Sequence, residues 1–342
     1  MVALLISLVF ITFWHSHLTP FNNNYLGKSQ GTAVKGVFII LVFLSHLNSY
    51  LDISSESIFD ATYLSFFDRL GQLMVVMFLF YSGYGVLKSY KEREGYSKTF
   101  FKNRILKTLL NFDICLIPFA ILSFVLGSEY SVYEYLLSLV GWESIGNSNW
   151  YIFIVLMLYL ISFLAMCLTK KQGASSHFWM FILTGILSVV LVGVLRYVGR
   201  ESWWYNTILC YSFGMFFACF EELANNNLRK NIVFIISAFC SFCLLLLLLS
   251  IGSIVSFMFG TICFALLIVT LSSRIIIGNK VLIWLGDHLF EIFILQRIPM
   301  IILKELQVQN KLLFVLVSFI VTICLAFLCK KLLRMIDDKL FY

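Results

Sequence analysis

The chain is short of charge, of proline and of hydrophilic stretches. Of its 342 residues 13% are charged, three are proline and 61% are hydrophobic. A soluble protein of this length needs a polar skin, which this composition cannot supply. No hydrophilic block is long enough for a separate soluble domain, so 1–342 reads as one integral unit with its core at 25–335. The sequence holds no glycine-rich nucleotide loop, no low-complexity tract, no convincing internal repeat and no metal-ligand spacing. Its nine cysteines are scattered through apolar runs. Even Cys240 and Cys243, a C-x-x-C pair, sit inside FCSFCLLLLLL without polar neighbours. They read as small polarizable packing residues rather than as a metal or redox centre.

What the chain does have is long, continuous apolar runs. A hydrocarbon core ~30 Å thick is crossed by about 20 mostly apolar residues in a helix. Only helices and closed barrels satisfy their backbone in lipid, and runs that do not alternate exclude a barrel. The expected fold is all-α, a polytopic integral membrane bundle. Its ten core spans fall near 33–51, 70–88, 107–126, 150–169, 178–198, 203–220, 231–250, 253–272, 281–303 and 311–329. Residues 1–14 are a short candidate for an eleventh span; they lack the positive start and small-residue cleavage site of a signal peptide. With the residues before 33–51 in the cytoplasm, inner segments carry nineteen Lys and Arg, outer segments carry five, and Arg297 lies within a span. That bias orients the bundle in the cell membrane, with a cytoplasmic C-terminus. The net charge of +7 then reflects topology, and no nucleic-acid partner is expected.

The outer segments are acidic and aromatic. Segment 51–69 holds Asp52, Glu56, Asp60 and Asp68; segment 127–149 holds Glu129, Glu134 and Glu143 with Tyr130, Tyr133, Tyr135 and Trp142. Such residues either anchor helices at the headgroup level or line a sugar-binding surface. Ionisable residues within spans are few: His46, Asp113, Asp287, His288, Glu291 and Arg297, with Lys35 at the inner boundary. His46 lies eleven residues after Lys35, which is ~16 Å and about three turns along a helix, so both share one face. One face then carries a cation at the inner mouth and an imidazole deep in the membrane. This suits an anionic donor entering from the cytoplasm, although a histidine bonded between packed helices would fit the spacing too. Lys98, Lys102, Arg104 and Lys107 crowd the start of the third span, either as a positive-inside anchor or as a phosphate clamp, with Asp113 a turn and a half deeper.

Five stretches resemble the membrane acyltransferase-3 family, from about Tyr25 over nearly the whole chain. AVKGVFIILVFLSH is similar to the family's first-helix signature of a basic residue and a histidine, at Lys35 and His46. MFLFYSGYGVL resembles its aromatic Ser-Gly-Tyr segment at Ser82, Gly83 and Tyr84, and FFKNRILKTLL its basic pair three apart at Arg104 and Lys107. Trp150 matches the tryptophan that opens the fourth helix, and LIWLGDHLFEIFILQR resembles the late Ser-Tyr-rich helix. Lys35 and Lys107 stand where many members carry arginine. His288 and Phe290 replace serine and tyrosine, and Gln296 replaces a histidine.

The resemblance implies an O-acyltransferase, expected to be an O-acetyltransferase. It would use acyl-CoA, in particular acetyl-CoA, as co-substrate with no tightly bound cofactor. Lys35, Arg104 and Lys107 would hold the donor phosphates, and His46 would act as general base or transient acyl carrier. Ser82, Tyr84, Asp113, Trp150, Glu291 and Arg297 would support and position. The acceptor would be a hydroxyl of a surface polysaccharide, capsular or exopolysaccharide, or of its lipid-linked precursor. The partners would be the bilayer and, beyond it, a second copy of the chain or glycan-assembly proteins. A flippase for a lipid-linked glycan is the alternative without covalent chemistry.

Overall fold

The computed structural model describes residues 1–53 and 57–341; Glu56, one of the acidic outer residues, lies outside them. The first half of the chain forms helices α1 (Val2–Phe13), α2 (Lys28–Leu47), α3 (Ile58–Leu70), α4 (Leu73–Glu92), α5 (Tyr96–Phe100), α6 (Lys107–Val125), α7 (Val132–Ser138) and α8 (Trp150–Thr169). The second half adds α9 (Ser176–Tyr197), α10 (Leu209–Cys219), α11 (Glu221–Leu228), α12 (Asn231–Ile251), α13 (Ile254–Ser272), α14 (Lys280–Asp287), α15 (Leu289–Leu295), α16 (Arg297–Glu305) and α17 (Lys311–Leu340). Two three-residue strands, β1 (Ser16–Leu18) and β2 (Ile275–Ile277), pair antiparallel with Ser16 opposite Ile277.

The protein is an all-α membrane bundle. Eight helical segments among the described residues are long and apolar enough to cross a bilayer: 28–47, 58–92, 96–125, 150–169, 176–197, 231–251, 254–272 and 311–340. Their outward faces carry the large exposed side chains, such as Ile232, Ile235, Ile236, Phe239, Leu246 and Leu247 on α12. In water that surface would be untenable; in lipid it is solvated.

One stretch that reads as a single span runs on past its expected end through a sharp bend, and another is broken within its bounds. The span expected at 203–220 continues into α11 through a 79° bend after Cys219. The run 281–303 becomes α14, α15 and α16. Pro299, the third residue of α16, has no N–H for the Leu295 carbonyl, and in a continuous helix its ring would clash there. At the other break, Lys330 of α17 donates to the main-chain carbonyl of Asp287, diverting it from the helical ladder.

The ends of the bundle sort by charge. At one, Lys88 pairs with Glu221 at 3.0 Å, Arg274 donates to the carbonyls of Leu228 and Arg229, and Lys330 holds Asp287. This is the basic end. At the opposite end Asp60 holds Lys311 at 3.0 Å, and Arg200 pairs with Glu143 at 2.9 Å.

Glycines bring two helix pairs to backbone contact. A Cβ on Gly286 would lie 1.9 Å from the Thr32 carbonyl oxygen, and one on Gly36 would lie 2.0 Å from that of Leu282. Thus α14 lies antiparallel against α2 at a separation that only glycine permits. Gly83 and Gly214 do the same for α4 and α10. Gly286→Ala is expected to force these backbones apart at a cost of about 1–3 kcal/mol or more. Thermal unfolding in detergent should show a lowered midpoint, with poor recovery of folded protein.

Candidate active site

A cavity of about 660 Å³ opens at the basic end between α2, α4, α8, the α5–α6 segment and the α14–α15 break. Its cations are Lys28, Lys35, Lys88, Arg93 and Arg104; its carboxylates are Glu92 and Asp287. Those opposing charges do not cancel. Lys88 is already held by Glu221 and by the Tyr84 hydroxyl at 2.8 Å, and Asp287 is held by Lys330 with Arg334 at 3.5 Å. Among the described residues, none of Lys28, Lys35, Arg93 and Arg104 forms an ion pair. Cations that outnumber the carboxylates of a partly enclosed cavity favour an anionic ligand.

The local structure explains which basic side chains enter. Phe101–Leu106, between α5 and α6, is a π-helical turn, and Arg104 sits on it. A π turn closes on i→i+5 bonds, so residues three apart no longer share a face as they do in an α-helix. Arg104 therefore lines the cavity, half-buried beside the phenols of Tyr96, Tyr159 and Tyr211. Lys107 is not among the lining residues. It pairs with Asp337 of α17 at 3.0 Å, stands over the Phe341 ring, and shares Asp337 with the Asn111 amide. The sequence pair Arg104–Lys107 is thus divided between the cavity and the C-terminal helix.

Ser82 and Tyr84 both line the cavity. Ser82 Oγ is 3.0 Å from Tyr159 Oη, so it orients a phenol that flanks Arg104. Deeper in, the cavity reaches Phe78 and Tyr151, whose rings meet edge to face at 6.1 Å; Phe293 of α15 lies 5.1 Å from Tyr151. Trp150 touches Tyr151 but is not itself in the lining.

His46 occupies the far end of α2 and does not line this cavity. Between it and Lys35, Phe38, Ile39, Leu41, Val42 and Phe43 are buried in the core. The ring is half-buried, and Nδ1 is enclosed without a hydrogen-bond partner among the described residues. The Arg297 charge acts on it. Arg297 lies 5.8 Å over Tyr50, donates to the Asn147 carbonyl at 3.3 Å, and has a buried Nε without partner. Asn147 Nδ2 and the neighbouring Ser148 Oγ are also buried and unpartnered. Buried polar atoms are nearly always satisfied, so several orphans around one imidazole and one guanidinium mark a place where a polar group fits. Only three residues separate Asn147 from Tyr151, so the cavity's deep wall and the His46 group are joined by one short stretch of chain.

The other expected residues sit apart. Asp113 on α6 has a buried Oδ1 without partner and forms no ion pair among the described residues. Glu291 is buried on α15 with Oε2 unpartnered; its charge acts on the thiols Cys115 and Cys329, which are 3.4 Å apart. At the opposite end, Glu134 is held in a capping box with Ser131, and Arg200 covers both Trp142 and Trp204. These acidic and aromatic residues are engaged within the protein.

Sequence reasoning overlooked Lys28, Arg93 and the phenols of Tyr81 and Tyr159 in the lining. Lys28 was within reach, since it precedes Lys35 by seven residues, two turns on the same face. The π turn leaves no comparable signal.

A cation-lined cavity at one end and an enclosed histidine at the other give this helical membrane bundle a built polar interior. The family comparison gives its class: the model described as an acyltransferase domain, acyltransferase-3, matches residues 32–331. The chain belongs to this family and is a membrane acyltransferase. No curated protein and no solved structure matches it.

Proposed function

We propose that the protein transfers an acyl group, acetyl in the first instance, from cytoplasmic acyl-CoA to a hydroxyl of a surface polysaccharide or its lipid-linked precursor. The observation that carries this is the pairing, among the described residues, of four cations without ion pairs in one cavity with an enclosed, unpartnered imidazole nitrogen beyond its far wall. In this reading Lys35 and Arg104 hold the donor's phosphates, and the extended pantetheine arm runs toward Phe78 and Tyr151. These rings part to admit the thioester to His46. His46 takes the proton of the acceptor hydroxyl as its oxygen attacks the thioester carbonyl. The C–S bond breaks, the ester forms, and the thiolate of coenzyme A takes up the proton. In the same reading Arg297, whose charge acts on His46, steadies the oxyanion. Lys107, through Asp337, secures the C-terminal helix beside the mouth.

The broken helices would also suit a transporter, in which discontinuous spans build the substrate site. Coenzyme A separates the readings. A ligand at 100 times its Kd stabilises by ~2.7 kcal/mol, so coenzyme A should raise the unfolding midpoint of the detergent-purified protein by several degrees. Absence of any shift at millimolar coenzyme A would remove the donor from the scheme.

A further inference from the structure

A recess of about 850 Å³ lies on the flank of the bundle, between the foot of α1 and the start of α14. Phe10, Trp14 and His15 line one side of it, and Asn279, Lys280 and Val281 the other. The α1 side lies outside the stretch that the family model matches. Helix α1 starts beside Asp60, at the end of the bundle opposite the basic one. Its twelve residues cover ~18 Å, so it stops inside a hydrocarbon core ~30 Å thick. The β1–β2 ribbon then carries the chain on to Arg274 at the basic end. The recess therefore faces lipid, and its walls agree: Phe10, Trp14 and Val281 are each more than half exposed. Its floor is fixed by Asn279, whose Nδ2 donates to the Ile11 carbonyl at 2.8 Å and whose Oδ1 accepts from the Val281 N–H at 2.9 Å. Along the other side the Trp14 ring lies 4.9 Å from Phe10 and 5.6 Å from His15.

We infer that this recess binds an anionic phospholipid from the leaflet at the basic end, with the lipid phosphate on Lys280. The inference is independent of the acyl-transfer reading. Lys280 is exposed and forms no ion pair among the described residues, and no carboxylate lines the recess among them. A lysine on a lipid-facing flank needs a partner, because an unpaired charge in hydrocarbon is costly and the long stem reaches for headgroups. With no protein anion in the recess, that partner comes from the bilayer. Charge also decides which lipid. A zwitterionic headgroup brings an ammonium with its phosphate, and the recess has no carboxylate to receive it beside Lys280. An anionic headgroup brings the phosphate alone. The Trp14 indole and the His15 ring add N–H donors at the same mouth, and tryptophan suits the headgroup boundary. Phe10 and Val281 give the first methylenes of an acyl chain an apolar strip to lie on. A lipid held there ties α1 to α14, and α14 ends at Asp287 in the wall of the first cavity.

The test uses the full chain, purified in neutral detergent and freed of lipid, with phosphatidylglycerol, phosphatidylcholine or inorganic phosphate added back. Lipid binding is read by native mass spectrometry and stability by thermal unfolding. Wild-type protein should bind phosphatidylglycerol at least fivefold more tightly than phosphatidylcholine, and its unfolding midpoint should rise by several degrees with the anionic lipid alone. Lys280→Ala should weaken phosphatidylglycerol by about tenfold, the loss of one charge-assisted contact, and leave phosphatidylcholine unchanged. Trp14→Ala should weaken both lipids alike. Lys230, an exposed lysine that does not line the recess, is the control, and Lys230→Ala should leave the preference intact. Equal affinity of wild type for the two lipids, or the same loss in Lys230→Ala as in Lys280→Ala, would overturn the site. Stabilisation by inorganic phosphate equal to that by phosphatidylglycerol would overturn the lipid as its occupant.

Discussion

His46→Ala is expected to lower acyl transfer by about 10²–10⁴-fold, the range of a single positioned general base, while coenzyme A binding stays as in the wild type. The separation of these effects follows from where the ring sits. It is at the far end of α2, about 16 Å along the helix from Lys35, and outside the cavity lining. Its removal takes nothing from the donor's phosphate contacts. It takes away an enclosed nitrogen that has no partner among the described residues, so little stability should go with it. A histidine that merely bridged two helices would behave in the opposite way, lowering the unfolding midpoint and the yield together. His46→Gln keeps a hydrogen-bonding side chain of similar reach but no basic nitrogen, and should be as inactive as the alanine variant. Acyl content of the glycan, read by NMR from cells expressing each variant at equal level, decides the matter. Undiminished acylation in either variant would take His46 out of the chemistry.

The legibility of this protein was uneven, for physical reasons. The span read at 150–169 and helix α8 share their bounds, because an uninterrupted apolar run with Asn149 before it leaves one solution. Hydropathy also reads 281–303 as a span, since Ile292, Phe293, Ile294 and Leu295 are apolar and buried. It cannot see that Lys330, over forty residues on, takes the Asp287 carbonyl, or weigh Pro299 against a strongly apolar context. The break matters, because it places Gly286, Asp287, Leu289 and Phe290 in the cavity wall. Lys35 and His46 could be set on one face by counting α-helical turns. Arg104 and Lys107 could not, because the count assumes 3.6 residues per turn and the backbone there is π-helical. The polar group around His46 was half legible: Arg297 stood out as a charge in a span, whereas Asn147 and Ser148 read as ordinary loop residues until the fold buried them.

Arg104→Ala should raise the donor's KM by ~10–100-fold, what losing a charge-assisted contact of about 1.5–3 kcal/mol gives, with a smaller effect on kcat. Its guanidinium lies in the cavity with three phenols beside it and, among the described residues, no carboxylate paired to it, so its charge remains available to a ligand. Arg104→Lys should recover part of the loss, since the charge returns but the planar fork that grips two phosphate oxygens does not. Lys107 is the discriminating control. It is three residues away and equally basic, and by sequence alone an equal partner, yet it is paired with Asp337 outside the cavity. Lys107→Ala should lower the unfolding midpoint modestly, through the lost pair to α17, and change the donor's KM by less than about threefold, the scale of a remote screened charge. Were the two alanine variants to raise KM alike, the division imposed by the π turn would be wrong, and the donor would have to reach the Lys107 face as well. Were Lys107→Ala alone to raise it, the phosphate site would lie between α6 and α17 instead of inside the bundle, and the path from donor to His46 would have to be redrawn from that side.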